Sequence, residues 1–281
     1  IGADGKVTPL LAESWEISPD LKTYTFKLRK GVKFQNGEPF NANAVKFSFE
    51  RAGAEKSVNK DKRKFAAMQR IAAIDEHTVV ILNNETDPNF LFGLGTGPAV
   101  IVEPKSAESN NTKPVGTGPF KLDVWNKGSS VVLSKWDGYR NAAAVKLKKV
   151  TFRFISDPAA QAAALLAGDV DLFPRIGTRA VPQFKTNARF QVLIGNSQGK
   201  TILTINNKKK PLDDVRVRRA ILAALDRKAI IEGAADGYGA PIGSHYVRGL
   251  PGFIDTTGIN PYNVEKAKAL LAKAGVKTPL N

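Results

Sequence analysis

The sequence predicts an α/β protein with mixed sheets. Three observations lead there. Strand-like and helix-like hydrophobic patterns interleave irregularly along the whole chain, not as a strict βαβ series. Hydrophobic residues make up 42% of the chain and charged ones 24%, an ordinary globular balance that excludes wholesale disorder. The length of 281 residues suits one large domain or two ordinary ones.

Residues 22–28 alternate, with Tyr24, Phe26 and Leu28 on one face and Thr23, Thr25 and Lys27 on the other, which predicts a half-buried strand. Turns are expected at Asp20, after Pro19, and at Asn36-Gly37-Glu38-Pro39. Asn41 or Asn43 can N-cap a helix carrying Val45, Phe47 and Phe49. Phe65, Met68, Ile71 and Ala72 stand at helical spacing and predict a helix over residues 64–74. A β-branched strand follows over residues 78–82, and Asp87-Pro88 opens a short helix around residues 90–94. Residues 95–119 are rich in Gly and Pro and read as loop. Strands resume at residues 120–125, 131–134 and 150–155. Asp157-Pro158 starts an Ala-rich helix that Gly168 ends. Short strands are expected at 170–173, 190–194 and 201–205. Helices follow Asp213/Asp214 and Asp226, and the last runs from Val264 to Ala274 before Gly275. Residues 237–253 form a long loop with five Gly and two Pro.

Charge and composition narrow the chemistry. Forty-two basic residues against 26 acidic ones give a net +16. The clusters near residues 56–64, 146–149 and 208–219 are spread and lack the helices or aromatic strands of nucleic-acid binders, so a solvated basic surface is the plainer reading. A basic nucleic-acid-binding module stays as the alternative. Cysteine is absent, which excludes disulfide frameworks, thiolate metal sites and thiol catalysis. No apolar run approaches the roughly 20 residues that span a bilayer. The chain does not open on Met, nor on a basic, apolar, small-residue series, and reads as a processed or trimmed piece.

Motifs for catalysis do not hold up. Gly195-Asn196-Ser197-Gln198-Gly199-Lys200-Thr201 is one residue short of a phosphate loop, and a strand rather than a helix is expected after it. The two histidines, His77 and His245, are far apart in sequence and belong to no metal or triad pattern. Ser57-x-x-Lys60 lacks the motifs that would make it a nucleophile site, and Asp169 with Asp171 reads as helix-end chemistry. Gly116-Thr117-Gly118-Pro119-Phe120 reads as backbone punctuation. No catalytic residue, metal site or cofactor is expected, and the chain is not read as an enzyme.

Several stretches taken in order carry a resemblance. They are Leu11-Ala12-Glu13-Ser14-Trp15; residues 20–29; Val32-Lys33-Phe34 with Gly37, Pro39 and Phe40; and Pro114-Val115 followed by the Gly116 to Phe120 run. Ala167-Gly168-Asp169-Val170-Asp171 comes next, then Asn206-Asn207 with Pro211 to Ala220, and Tyr262 to Leu271. Together they resemble the peptide/nickel/opine family of extracytoplasmic solute-binding proteins that feed ABC transporters. The likeness runs from about residue 7 to residue 276. Ala44 departs from it, standing where the family often has Asp before the Val of the first helix.

The resemblance implies a type II periplasmic-binding-protein-like fold with an extra subdomain. It implies 1–103 as that subdomain, 104–204 as part of the main domain of lobe one, and 205–281 as the beginning of an incomplete lobe two. It implies capture of a small solute by hinge closure, delivery to an ABC permease in the membrane, and a periplasmic location after signal-peptide removal. An oligopeptide is the default solute, with nickel chelates, opines or sugars open, and no nucleic acid is expected. Segments placed to reach the cleft offer Thr96, Gly97, Thr204, Asn206, Ser244, His245 and Tyr246 as ligand contacts. A cut lobe would leave apolar surface open, so dimerisation, dye binding or low stability is expected.

Overall fold

The structure, a computed structural model, describes every residue except Ala3, Asn196, Pro251, Thr278, Leu280 and Asn281. The chain divides into two compact units, Ile1–Phe154 and Ile155–Asn281.

The first unit is built on β1 (Ala12–Ile17), β2 (Thr23–Leu28), β3 (Met68–Asp75) and β4 (Thr78–Asn83), in the antiparallel order β1-β2-β4-β3. The alternation in β2 works as expected: Tyr24, Phe26 and Leu28 are buried. Tyr24 sits opposite Ile81 and Phe26 opposite Val79, so the two strands share one apolar face. Helix α1 (Ala42–Gly53) covers it with Val45 and Phe49. Asn41 starts that helix, its Oδ1 accepting the Ala44 N–H at 3.1 Å. Phe34 and Phe40 meet edge to face at 6.2 Å, and Tyr24 meets Phe90 at 4.5 Å.

The helix expected over residues 64–74 is wrong. Helix α2 (Lys62–Ala66) is short, and β3 begins at Met68 and pairs with β4. The register slips between Met68 and Arg70. That irregularity puts Met68 and Ile71, three apart, on one buried face, which a strand without a bulge cannot do. The helical spacing was a bulged strand.

Helix α3 (Phe90–Leu94) follows, with Phe90 buried. A second sheet holds β5 (Phe120–Asn126), β6 (Ser130–Lys135) and β7 (Lys149–Arg153), paired antiparallel in that order. Gly128, at φ +81°, permits the tight turn between β5 and β6. No residue of these three strands is buried.

The second unit is helical. In α4 (Pro158–Ala167), Asp157 Oδ1 accepts the Ala160 N–H at 2.7 Å, and Gly168 ends the helix at φ +81°. Helix α5 (Val181–Lys185) buries Val181 and Phe184. Helices α6 (Val215–Ala224), α7 (Arg227–Ala235) and α8 (Val264–Ala274) start on Asp214, Asp226 and Asn263, each accepting N–H groups two or three residues on. Helices α6 and α8 pack through Ala220, Ala223 and Ala267.

The strands expected at 170–173, 190–194 and 201–205 do not form ladders among the described residues. Leu172, Leu193, Ile194, Ile202 and Leu203 stand exposed. β-branched alternation marks a segment that fits a sheet, but the sheet also needs a neighbour to take its N–H and C=O groups.

Candidate functional site

The loop that carries Thr96 and Gly97 is long, and side chains of the first unit hold it at five places. Asn59 Nδ2 donates to Pro98 O at 2.9 Å. Ser48 Oγ accepts the Val102 N–H at 3.0 Å and donates to Ala44 O at 2.7 Å. Arg51 donates to Ala107 O at 3.3 Å. The other two grips involve Glu103 and Gln35.

Glu103 is 2% exposed. Its carboxylate accepts from Asn36 Nδ2 at 3.1 Å, the Lys105 N–H at 2.8 Å and the Ser106 N–H at 2.9 Å. Burial alone would push this carboxyl up. The donors from Lys105, Ser106 and Asn36 outweigh it and hold the group below the ordinary carboxylate value. The Lys105 ammonium also reaches Glu38 at 2.8 Å, an exposed pair of small worth.

Gln35 binds the Gly116 to Phe120 run. Its Nε2 donates to Gly118 O at 3.2 Å and Phe120 O at 2.7 Å. Its Oε1 accepts the Gly116 N–H at 3.3 Å, and its own N–H donates to Gly116 O at 2.9 Å. The run that reads as punctuation is thus a surface of backbone groups gripped by one amide. Sequence reasoning missed Gln35 and Glu103: the partners of Gln35 and the Asn36 partner of Glu103 lie 67 to 85 positions away, whereas the Lys105 and Ser106 N–H groups that Glu103 also accepts are local.

On this loop, Thr96 turns its hydroxyl onto Gly93 O at 2.6 Å. Gly97 is exposed, and a Cβ built there would meet nothing within 4 Å, so its backbone is open to solvent. Gly95, by contrast, could not carry a side chain without displacing Ile1, 2.8 Å from where the Cβ would sit.

The other five candidate contacts lie in the second unit. Thr204 is exposed, with no side-chain hydrogen bond among the described residues. Asn206 Oδ1 accepts the Lys208 N–H and its carbonyl accepts the Lys209 N–H, both at 3.1 Å. Its Nδ2 has no partner among the described residues. Ser244 Oγ accepts the Tyr246 N–H at 3.3 Å, while His245 and Tyr246 are exposed. Two residues on, Arg248 pairs with Asp255 at 3.7 Å and lies 5.5 Å from the centre of the Phe253 ring. The Thr257 hydroxyl and N–H, with Arg248 behind them, hold the Asp255 carboxyl below its ordinary range. The structure ties Ser244 to Tyr246. No hydrogen bond among the described residues ties that pair to Thr204 or Asn206.

The rejected motifs have local uses. Ser57 Oγ accepts the Asn59 N–H at 3.2 Å, and the Asp169 N–H closes α4 on Ala164 O at 2.9 Å. Asn196 of the Gly195 to Thr201 run lies outside the described residues. Among the described residues no group of three or more His, Cys, Asp or Glu is placed to hold a metal, and no helix is long and apolar enough to cross a membrane.

Comparison with known proteins assigns the chain. The family model "Bacterial extracellular solute-binding proteins, family 5 Middle" matches residues 6–281. The glutathione-binding protein GsiB of Escherichia coli O6:K15:H31 is 32% identical over 274 residues, covering 96% of this chain and 53% of that protein. The chain thus spans about half the length of the curated relatives it matches. Among solved structures, the binding protein AgaA of A. tumefaciens R10, in complex with agropinic acid, superimposes with a TM-score of 0.79 at 34% identity, covering 98% of this chain and 57% of that one. DppA of Helicobacter pylori, in complex with the peptide STSA, gives 0.76 at 30% identity, with 96% and 58% covered. The fold is that of the type II periplasmic binding proteins, and the order of motifs from Leu11 to Leu271 has its explanation: this chain belongs to family 5 of the bacterial extracellular solute-binding proteins.

Proposed function

We propose that this chain forms part of the solute-capturing component of an ABC importer. It holds a small solute between two lobes by hinge closure and hands it to the membrane permease. The observation that carries this reading is the family match over residues 6–281. The relatives named above are binding proteins, not enzymes, and give no support to a nucleic-acid-binding reading. A periplasmic location belongs to the same proposal. So does the division into 1–103 as extra subdomain, 104–204 as main domain of lobe one and 205–281 as the opening of lobe two.

The proposed contacts are backbone groups at Gly97, hydroxyls of Thr96, Thr204 and Ser244, the free amide of Asn206, and the rings of His245 and Tyr246. Small polar groups on loops held by a rigid scaffold suit a solute that must be released again. The solute class follows the relatives: a short peptide, with a glutathione-like or opine-like molecule as variants of one zwitterionic, carboxylate-bearing theme. Small-angle scattering with and without saturating glutathione or a tripeptide tests closure. The radius of gyration is expected to fall on addition. Tight binding with no compaction would contradict hinge closure.

A further inference from the structure

We infer that the solute is a net anion, met by cations on the turn that follows Asn206. This rests on the solute-capture reading above and adds the charge of what is captured. The excess of positive charge is shared evenly. The first unit carries 24 basic and 16 acidic side chains, the second 18 and 10, a net +8 in each. A net charge of this sign raises the local concentration of anions and their association rate.

The local arrangement points the same way. Lys208, Lys209 and Lys210 follow directly on Asn206, and all three are exposed. The Asn206 side chain and carbonyl take the Lys208 and Lys209 N–H groups, so the candidate contact and the lysines share one ordered turn. None of the three ammonium groups has an ion pair among the described residues. The carboxylates that follow offer little neutralisation. Asp214 is committed to Arg216, with contacts from 2.6 to 3.1 Å, which leaves Asp213 alone against three lysines. On the other candidate loop, Arg248 is shared with Asp255 only at 3.7 Å and is largely exposed, and no further acid stands between Ser244 and Arg248. A peptide's free amino group would find no uncommitted carboxylate on these two segments besides Asp213. A surplus of carboxylate or phosphate would find three lysines on the Asn206 turn, unpaired among the described residues. Lysine ammonium groups are compact point charges and do not require the planar fit of an arginine fork, so the selection is for charge, not for one anion geometry.

The test is a titration of the purified protein with tripeptides of equal size and different charge: Glu-Ala-Gly, Ala-Ala-Gly and Lys-Ala-Gly, with phosphoserine-Ala-Gly to separate phosphate from carboxylate. At low salt the acidic peptides are expected to associate at least about ten-fold faster than Lys-Ala-Gly, and the gap is expected to shrink at about 0.5 M salt. Equal rates, or a preference for the basic peptide, would overturn the inference and leave solute capture standing. Binding of none of the four would count against solute capture itself. The triple variant Lys208→Glu, Lys209→Glu, Lys210→Glu is expected to lose most of the charge preference while keeping the wild-type thermal melt. If it folds and retains the full preference, these lysines are not its source.

Discussion

Phe34→Ala is expected to destabilise the first unit by about 3–5 kcal/mol. Phe34 is fully buried and reaches the core from a turn rather than from a strand or helix. Its ring packs on Phe40, and its backbone closes the turn: its N–H donates to Glu38 O and its carbonyl accepts the Gly37 N–H, both at 2.8 Å. Removing the ring leaves a cavity in the core that a turn tied at both ends cannot close. All three tryptophans, Trp15, Trp125 and Trp136, lie in the first unit. Their fluorescence in a urea titration therefore reports this unit and is silent for the second. A loss below about 1 kcal/mol would show that Phe34 does not contribute as a core residue.

The second large effect is electrostatic. Glu103→Ala is expected to cost about 1–3 kcal/mol, because it removes a buried carboxylate and leaves two part-buried backbone N–H groups and the Asn36 amide without their acceptor. Glu103→Gln keeps the shape, loses the charge and is expected to cost about 1–2 kcal/mol. The sign of the pH dependence follows from the lowered carboxyl. A carboxyl held below its ordinary value of 4.5 in the folded chain adds stability that is fully present above that value. That stability is lost as pH falls through the folded value. The difference between wild type and Glu103→Gln should therefore be constant above about pH 5 and shrink below it. A difference that stays constant down to pH 3 would mean the charge of Glu103 contributes nothing.

How much of this was legible in the sequence divides along the range of the interactions. Asn41 (with Asn43), Asp157, Asp214 (with Asp213) and Asp226 could be read as helix starts because a cap is local. In Asn41, Asp157, Asp214 and Asp226 the side-chain oxygen meets an N–H two or three residues on. The β2 alternation was legible for the same reason. Residues 68–75 were not, because a bulge converts strand spacing into apparent helical spacing. Residues 190–194 and 201–205 carry strand composition, yet pairing depends on a distant partner that their own residues cannot reveal. The family was legible because an ordered series of weak motifs is specific where each alone is not. At the candidate site, the loops bearing Thr96 and Ser244 could be picked out by composition. The amide of Gln35 and the buried carboxylate of Glu103, which fix one of those loops, could not. The Gln35 grip and the Asn36–Glu103 bond appear only once segments far apart in sequence are brought together.

The central claim is that the protein captures a small solute, and native mass spectrometry of the purified protein tests it most directly. The account predicts a population heavier than the 30.3 kDa chain by the mass of one small molecule, either as isolated or after incubation with Glu-Ala-Gly. That extra mass should disappear when the same sample is denatured, and its fragmentation would name the solute. A bare 30.3 kDa chain under both conditions would contradict the claim that this chain holds a solute.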